Sequence, residues 1–305
     1  MSGELKGRVA LVSGGGRGIG LAIAKDLAAR GAKVLIADPG TGIDGTGADP
    51  KVAADAAADI GGMAFPQSIA SPEAAQQAVK LAVDQLGGID IVVNNAAILR
   101  DAFIFKGDAA NFEAVLRTNL FAAFYLAAAA TPFMREQQKA GRSHGRIVNI
   151  TSSAGLYGNF GQAAYASAKA GLLGLTRVVA MDMARSQVTC NAVAPFAATR
   201  VTDSIRPANE AQATYKERAL KAEPRHVATL VSWLCSDLAA NVTGQLFGVR
   251  GREVFLFSQP RPAAQLVTKG DGDLAALNAA AAATLAPHYT DLKTDLEVFN
   301  TDPVT

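Results

Sequence analysis

Cysteine is nearly missing from this chain. Two thiols in 305 residues, Cys190 and Cys235, sit inside apolar patterns, which excludes a disulfide framework and reads as buried free thiols. Histidine is equally sparse: His144, His226 and His288 are scattered without metal-ligand spacing, so no metal is expected. Charged residues make up 18% and the net charge is +2, which gives no argument for a nucleic-acid partner. No long hydrophobic run is evident either. The greasiest helix candidate, Leu120 to Met134, is interrupted by Pro132 and reads as too short to span a bilayer, so no membrane partner is expected. The N-terminus has no signal-peptide apolar run and the chain ends Pro303-Val304-Thr305, so a cytoplasmic, reducing location is the expectation.

Apolar residues and glycine are plentiful, at 50% and 29 residues, enough for a sizeable core. The apolar strand Arg8 to Val12 runs into Ser13-Gly14-Gly15-Gly16-Arg17-Gly18-Ile19-Gly20 and then a helix through Arg30. Such a strand–glycine turn–helix start is a phosphate cradle, because the backbone approaches the pyrophosphate closely and the helix N-terminus offers N–H donors. The spacing is Gly-x-x-x-Gly-x-Gly. The next strand, Lys33 to Ala37, ends at Asp38, where a carboxylate accepts both hydroxyls of an adenosine ribose and repels a 2′-phosphate. Arg17 argues for the phosphate, but a carboxylate in a partly dry site discriminates more than one exposed arginine, and NAD is favoured over NADP.

Strands alternate with helices to about residue 250, which predicts a doubly wound parallel sheet of about seven strands. Strand Ile89 to Val93 ends in Asn94-Asn95-Ala96-Ala97 at the carboxyl edge, where ligands bind in open α/β folds. A helix is expected from about Asn111 to Met134, carrying Asn119, then a charged loop from Arg135 to Arg146. The last parallel strands are expected at Val188 to Ala194, ending at Pro195, and at Gln245 to Val249. Residues 1–260 form one Rossmann-type domain in this reading. The tail 261–305 shows no strand signal and is either an appended helix or a mobile extension.

One stretch, Ile147 to Gly171, carries chemistry. It opens as an apolar strand ending in Ser152 and Ser153 and closes as a small-residue helix with Tyr165 and Lys169. Residues four apart share a helix face, roughly 6 Å between Cβ atoms. An ammonium there is expected to favour the phenolate and lower the tyrosine pKa toward working pH. A second Tyr-x-x-x-Lys, Tyr289 to Lys293, lacks this context: the residue thirteen before it is Ala276, not a serine.

The chain resembles the short-chain dehydrogenase/reductase family over roughly residues 5 to 250. The likeness rests on Gly14, Gly18 and Gly20, Asn94-Asn95-Ala96, Asn119, Ser152, and Tyr165 with Lys169. It implies Tyr165 as general acid/base, Ser152 holding the substrate oxygen, and Lys169 binding the nicotinamide ribose while lowering the tyrosine pKa. Asn119 would anchor a water in a proton relay. Ile98-Leu99-Arg100-Asp101, Gly155 to Gln162 and Ser232 to Cys235 further resemble the (3R)-hydroxyacyl-CoA dehydrogenase domain of the peroxisomal multifunctional β-oxidation enzyme, also called type 4 17β-hydroxysteroid dehydrogenase. Phe196 stands where the family has glycine after the strand-six proline, Ala97 replaces another glycine, and Ser68 stands where an acid often touches adenine.

The resemblance implies an NAD-dependent oxidation of a secondary alcohol, foremost a (3R)-hydroxyacyl-CoA, in a homodimer or homotetramer. Gly16, Ile19, Asn95, Ala96 and Pro195 join the cofactor set; Leu156, Phe196 and parts of 200–220 would line an acyl pocket. The rivals are an NADPH-dependent 3-oxoacyl reductase, a steroid or alcohol dehydrogenase, and a non-catalytic nucleotide-binding regulator.

Overall fold

The computed structural model describes residues 3–142, 144–197, 210–268 and 273–305. Its centre is an eight-stranded sheet in the order β3-β2-β1-β4-β5-β6-β7-β8. The strands are β1 (Val9–Ser13), β2 (Lys33–Ala37), β3 (Met63–Phe65), β4 (Ile91–Asn94), β5 (Arg146–Ile150), β6 (Thr189–Phe196), β7 (Leu246–Arg250) and β8 (Glu253–Phe257). The first seven pair in parallel. β1, β4 and β5 are buried at every position, as parallel strands covered on both faces must be. Helices α1 (Gly18–Ala29), α2 (Lys51–Asp59), α3 (Pro72–Leu81), α4 (Ala109–Leu116), α5 (Ala122–Lys139), α6 (Ala154–Tyr157) and α7 (Ala163–Asp182) follow in order. Then come α8 (Glu210–Leu220), α9 (Pro224–Cys235), α10 (Leu274–Thr284) and α11 (Asp295–Val298). One apolar layer joins α1, α2 and α9 to the sheet through Ile23, Leu27 and Val231; the other joins α3 and α5 through Val79, Leu126 and Met134.

Three expectations are corrected. The sheet has an eighth strand, because β8 turns back antiparallel on β7 with Arg250 opposite Glu253. A hairpin edge needs no crossover helix, so the strand–helix alternation carries no signal for it. The helix expected to stop at Met134 runs on, with Pro132 inside it. α5 continues to Lys139, held beyond the proline by Gln137, whose side-chain amide bonds both the N–H and the carbonyl of Ile89 at 2.9 Å. Arg135 to Lys139 are therefore helical rather than loop. The whole helical run Ala109–Lys139 is long and apolar enough to cross a membrane by length and composition, yet its Leu126 and Met134 face packs on α3 and β4.

That run contains a π-helical segment, Arg117–Phe121, between α4 and α5. The wide turn places Asn119 inward, 2% exposed. Single-turn π segments of this kind are frequent at functional sites.

The tail folds back on the sheet. Val304 bridges to Gly251 at the β7–β8 turn, and Phe299 packs on Phe196 and Phe255 with ring centroids 4.6 and 5.3 Å away. Arg250 fixes the return through hydrogen bonds to the carbonyls of Phe299 (3.2 Å) and Thr301 (2.9 Å). The second Tyr-x-x-x-Lys lies in this tail without a helix, and Tyr289 is 70% exposed.

Candidate active site

A cleft of about 1020 Å³ opens at the carboxyl edge of β1, β2, β4, β5 and β6, where loops follow the strands. At one end lies the glycine turn. Gly14 has φ +61°, and a Cβ there would stand 2.8 Å from Cα of Ala96. Gly18 has φ +55° and faces open space. α1 begins there with no side-chain cap and no acidic residue in its first turn, so its N–H groups and positive end are left for an anion. A dinucleotide pyrophosphate fits this cradle on both counts, close backbone approach and uncapped donors.

The turn is braced from the neighbouring strand. Asn95 donates through Nδ2 to the carbonyls of Ser13 (3.1 Å) and Gly14 (3.0 Å), and Ser13 Oγ accepts from the N–H groups of Asn95 and Ala96 at 3.0 and 3.1 Å. Asp38 lines the cleft beyond it, with Oδ2 accepting from the Gly16 N–H at 2.9 Å and Oδ1 from the Gly40 N–H at 2.8 Å. Two backbone donors thus fix the carboxylate while its other lone pairs remain acceptors. Arg17 reaches the Thr41 carbonyl at 3.4 Å on the same rim. The glycine-rich loop after Asp38 folds over the cleft, tied down by Leu99 N–H to the Ile43 carbonyl and Arg100 Nε to the Asp44 carbonyl, both 2.8 Å.

At the other end β5 delivers Ser152 and α7 delivers Tyr165 and Lys169. Ser152 and Tyr165 line the cleft side by side, near enough for the serine to oppose the upward shift of the phenol, and Ser152 Oγ accepts from the Ala154 N–H at 3.2 Å. Lys169 is 2% exposed; its Nζ donates to the Ile150 carbonyl at 2.7 Å and lies 5.7 Å from the Tyr165 ring centroid. Thr151 Oγ1 donates to the Lys169 carbonyl at 2.7 Å, locking strand end to helix.

The electrostatics depart from the sequence expectation. Burial pushes the Tyr165 phenol up to about 12, against the opposing Ser152 hydrogen bond. The same loss of water pushes Lys169 down to about 7, so near neutrality the lysine is only partly charged and does little for the phenolate. Depth of burial, a property of the whole fold, outweighs the neighbour relation read from i and i+4.

Unfolded, Lys169 keeps its proton to its ordinary 10.5; folded, it releases it near 7. Between those values the unfolded state binds more protons, so this residue makes the fold more stable as pH rises. Lys169→Met should abolish that rise. The melting temperature of the wild type relative to the variant is expected to climb from about pH 7 to about pH 9. A difference that stays flat would mean the lysine is charged in the fold.

Of the residues anticipated from sequence, Gly14, Arg17, Gly18, Ile19, Gly20, Asp38, Asn95, Ala96, Ser152, Tyr165, Lys169, Pro195 and Phe196 all line this cleft. Three do not. Gly16 faces Val52 and Asp38, supporting the carboxylate from behind. Asn119 has both ends of its amide engaged by Ile98, accepting from the N–H at 2.8 Å and donating to the carbonyl at 2.9 Å, which makes it a clamp on the 94–98 turn rather than a group in the cleft. Leu156 sits half-buried on α6 outside the lining; Ala154 and Phe160 take its place. Within the expected 200–220 wall, residues 200–209 lie outside the described residues, and Ala219 lines the cleft. Sequence reasoning missed Asp101, whose carboxyl is raised by burial and accepts from Gln162 Nε2 at 2.8 Å, and the tail segment Leu292 to Glu297. Gln162 was visible only as part of a resembling segment, and nothing local marks the tail.

A dinucleotide cradle at one end of a parallel sheet and a Ser–Tyr–Lys group at the other define a pyridine-nucleotide oxidoreductase. The chain belongs to the short-chain dehydrogenase/reductase family, whose members use NAD(P) to act on hydroxyl or keto groups. A family model described as enoyl-(acyl carrier protein) reductase matches residues 14–251. Hydroxyacyl-CoA dehydrogenase ChsB1 of Mycobacterium tuberculosis is 38% identical over 84% of this chain and 81% of its own. Peroxisomal multifunctional enzyme type 2 of Mus musculus is also 38% identical over 80% of this chain, which spans 31% of that longer protein. The 3-oxoacyl-[acyl-carrier-protein] reductase FabG of Vibrio cholerae is 39% identical, covering 81% of this chain and 98% of its own. A crystal structure of a short chain dehydrogenase from Mycobacterium avium superposes with a TM-score of 0.79 at 35% identity, over 95% of this chain and 98% of that one.

Proposed function

We propose that this protein oxidises a (3R)-hydroxyacyl-CoA thioester to the 3-oxo thioester with NAD. The observation that carries this reading is the cleft itself: Ser152, Tyr165 and Lys169 gathered at one end and the fixed Asp38 carboxylate at the other. The relative named hydroxyacyl-CoA dehydrogenase supports the substrate class. The Gly14–Gly20 turn and the start of α1 would hold the pyrophosphate, Asp38 the adenosine ribose, and Lys169 the nicotinamide ribose. Bound there, the dinucleotide supplies a hydride acceptor. Ser152 donates a hydrogen bond to the substrate oxygen, and Tyr165, in the fraction that is phenolate, takes its proton, a fraction that grows as pH rises. In the reverse direction the phenol, protonated at neutral pH, returns that proton to the forming alcohol. Walls from Ile98, Phe160 and Phe196 give the acyl group an apolar bed.

Steady-state rates with NAD and with NADP on a (3R)-hydroxyacyl-CoA, beside a simple alcohol and a steroid, test it. NAD-linked turnover of the thioester is expected to dominate, and Asp38→Ser should narrow the preference by removing the carboxylate that repels a 2′-phosphate. A second reading, reduction of a 3-oxoacyl thioester with NADPH, draws on Arg17 at the same rim and on the FabG relative. Turnover confined to NADPH would establish it. Binding of dinucleotide without turnover of any alcohol would leave the regulator reading.

A further inference from the structure

The region matched by the family model ends at Gly251, yet the substrate end of the cleft is partly built by residues beyond it. Leu292, Thr294, Asp295, Leu296 and Glu297 all line the cavity. This segment is fastened from both sides. Asp295, 6% exposed, accepts a 2.6 Å hydrogen bond at Oδ2 from the Ser153 hydroxyl, itself 7% exposed and next in chain to Ser152. Burial pushes the Tyr157 phenol on α6 up, and the nearby Asp295 carboxylate adds to that shift. Four residues on, Phe299 sets its ring edge-on to Tyr157 at 6.2 Å and against Phe196 at 4.6 Å.

The polar groups of the segment are occupied in holding it. Thr294 and Glu297 close a capping box on α11, with the Thr294 N–H donating to Glu297 Oε2 at 2.9 Å. What remains for a ligand is apolar: Leu292, 95% exposed, and the half-buried Leu296.

We propose that residues 292–299 form a resident wall of the substrate pocket, which limits the bulk of the accepted acyl group through Leu296 and holds the Ser152 turn in place through Asp295. The size of acyl group rests on the thioester reading above; the attachment to the Ser152 turn does not. Asp295 is a positioning residue, acting on Ser152 through Ser153.

Two measurements test it. The first is kcat/KM for straight and branched 3-hydroxyacyl-CoA substrates, comparing wild type with Leu296→Ala. One methylene of pocket contact discriminates by about 10–200-fold, so the variant should shift toward bulkier acyl groups by about tenfold or more, while dinucleotide affinity is unchanged. The second is hydrogen exchange of the 152–157 backbone in the cofactor-free protein. Asp295→Ala should speed it, and Asp295→Asn, whose amide oxygen still accepts the Ser153 hydroxyl, should restore it. An unaltered acyl profile in Leu296→Ala, or unaltered exchange in Asp295→Ala, overturns the proposal. A wild type that binds NADH but turns over no thioester defeats the substrate reading alone. The acyl series is then replaced by whichever secondary alcohols it does oxidise, and with none the exchange result decides.

Discussion

Replacing Tyr165 with Phe is expected to lower kcat by about 10²–10⁴-fold, the range that a positioned acid/base contributes, and to leave dinucleotide binding nearly intact. The substitution deletes one oxygen from a residue whose ring stays packed where α7 meets the cleft. It removes the phenolic oxygen beside Ser152 in the cleft. The phenol is pushed up to about 12, so it is a proton donor across neutral pH and a poor acceptor. Oxidation by the wild type should therefore accelerate as pH rises above neutrality, whereas the residual rate of Tyr165→Phe should lose that dependence. Ser152→Ala is the matched control, since it removes the partner oxygen and leaves the phenol. Turnover of Tyr165→Phe within a few-fold of wild type would remove Tyr165 from the chemistry and, with it, the reading of this end of the cleft.

Why these two ends were legible in the sequence, and other parts were not, comes down to distance along the chain. The cradle is written in thirteen residues, Arg8 to Gly20, where an apolar strand meets glycines at fixed spacing. Tyr165 and Lys169 are one helical turn apart, so their proximity needs no tertiary information. The direction of the tyrosine shift does need it, because burial of Tyr165 and Lys169 depends on how loops from distant segments close over α7. The tail is the extreme case. Asp295 meets Ser153 across 142 positions, and no periodicity in a short acidic stretch announces such a contact. Asn119 lies between. Its position on the long helix was readable, but the π-helical turn that aims it at Ile98 was not. β8 escaped notice for the opposite reason: it is local, but its pattern, Glu-Val-Phe-Leu-Phe, is a half-covered edge whose period gives no core face of its own.

The strictest demand on the cradle is steric, and Gly20→Ala exposes it. A Cβ on Gly20 would overlap the Gly14 carbonyl oxygen and lie 2.5 Å from Nδ2 of Asn95. Neither neighbour yields cheaply. The first is backbone, and the second is the amide that ties the carbonyls of Ser13 and Gly14 to the β4 side of the cleft. Overpacking of this kind costs about 1–3 kcal/mol where the surroundings can shift, and here the shift must move the turn that receives the pyrophosphate. The variant is expected to melt lower than wild type without cofactor and to bind the dinucleotide about 10–100-fold more weakly, at 1.4 kcal/mol per tenfold. Gly18→Ala separates the two effects. Its Cβ meets no protein atom, so the folded state bears only the penalty of a left-handed φ, about 1–2 kcal/mol. The methyl group would instead enter the space beside the start of α1, where the cradle places the anion. Dinucleotide titration should fall in both variants, whereas the larger loss of cofactor-free stability belongs to Gly20→Ala. Full dinucleotide affinity in either would mean that the phosphates lie elsewhere in the cleft, and that the uncapped end of α1 is not their seat.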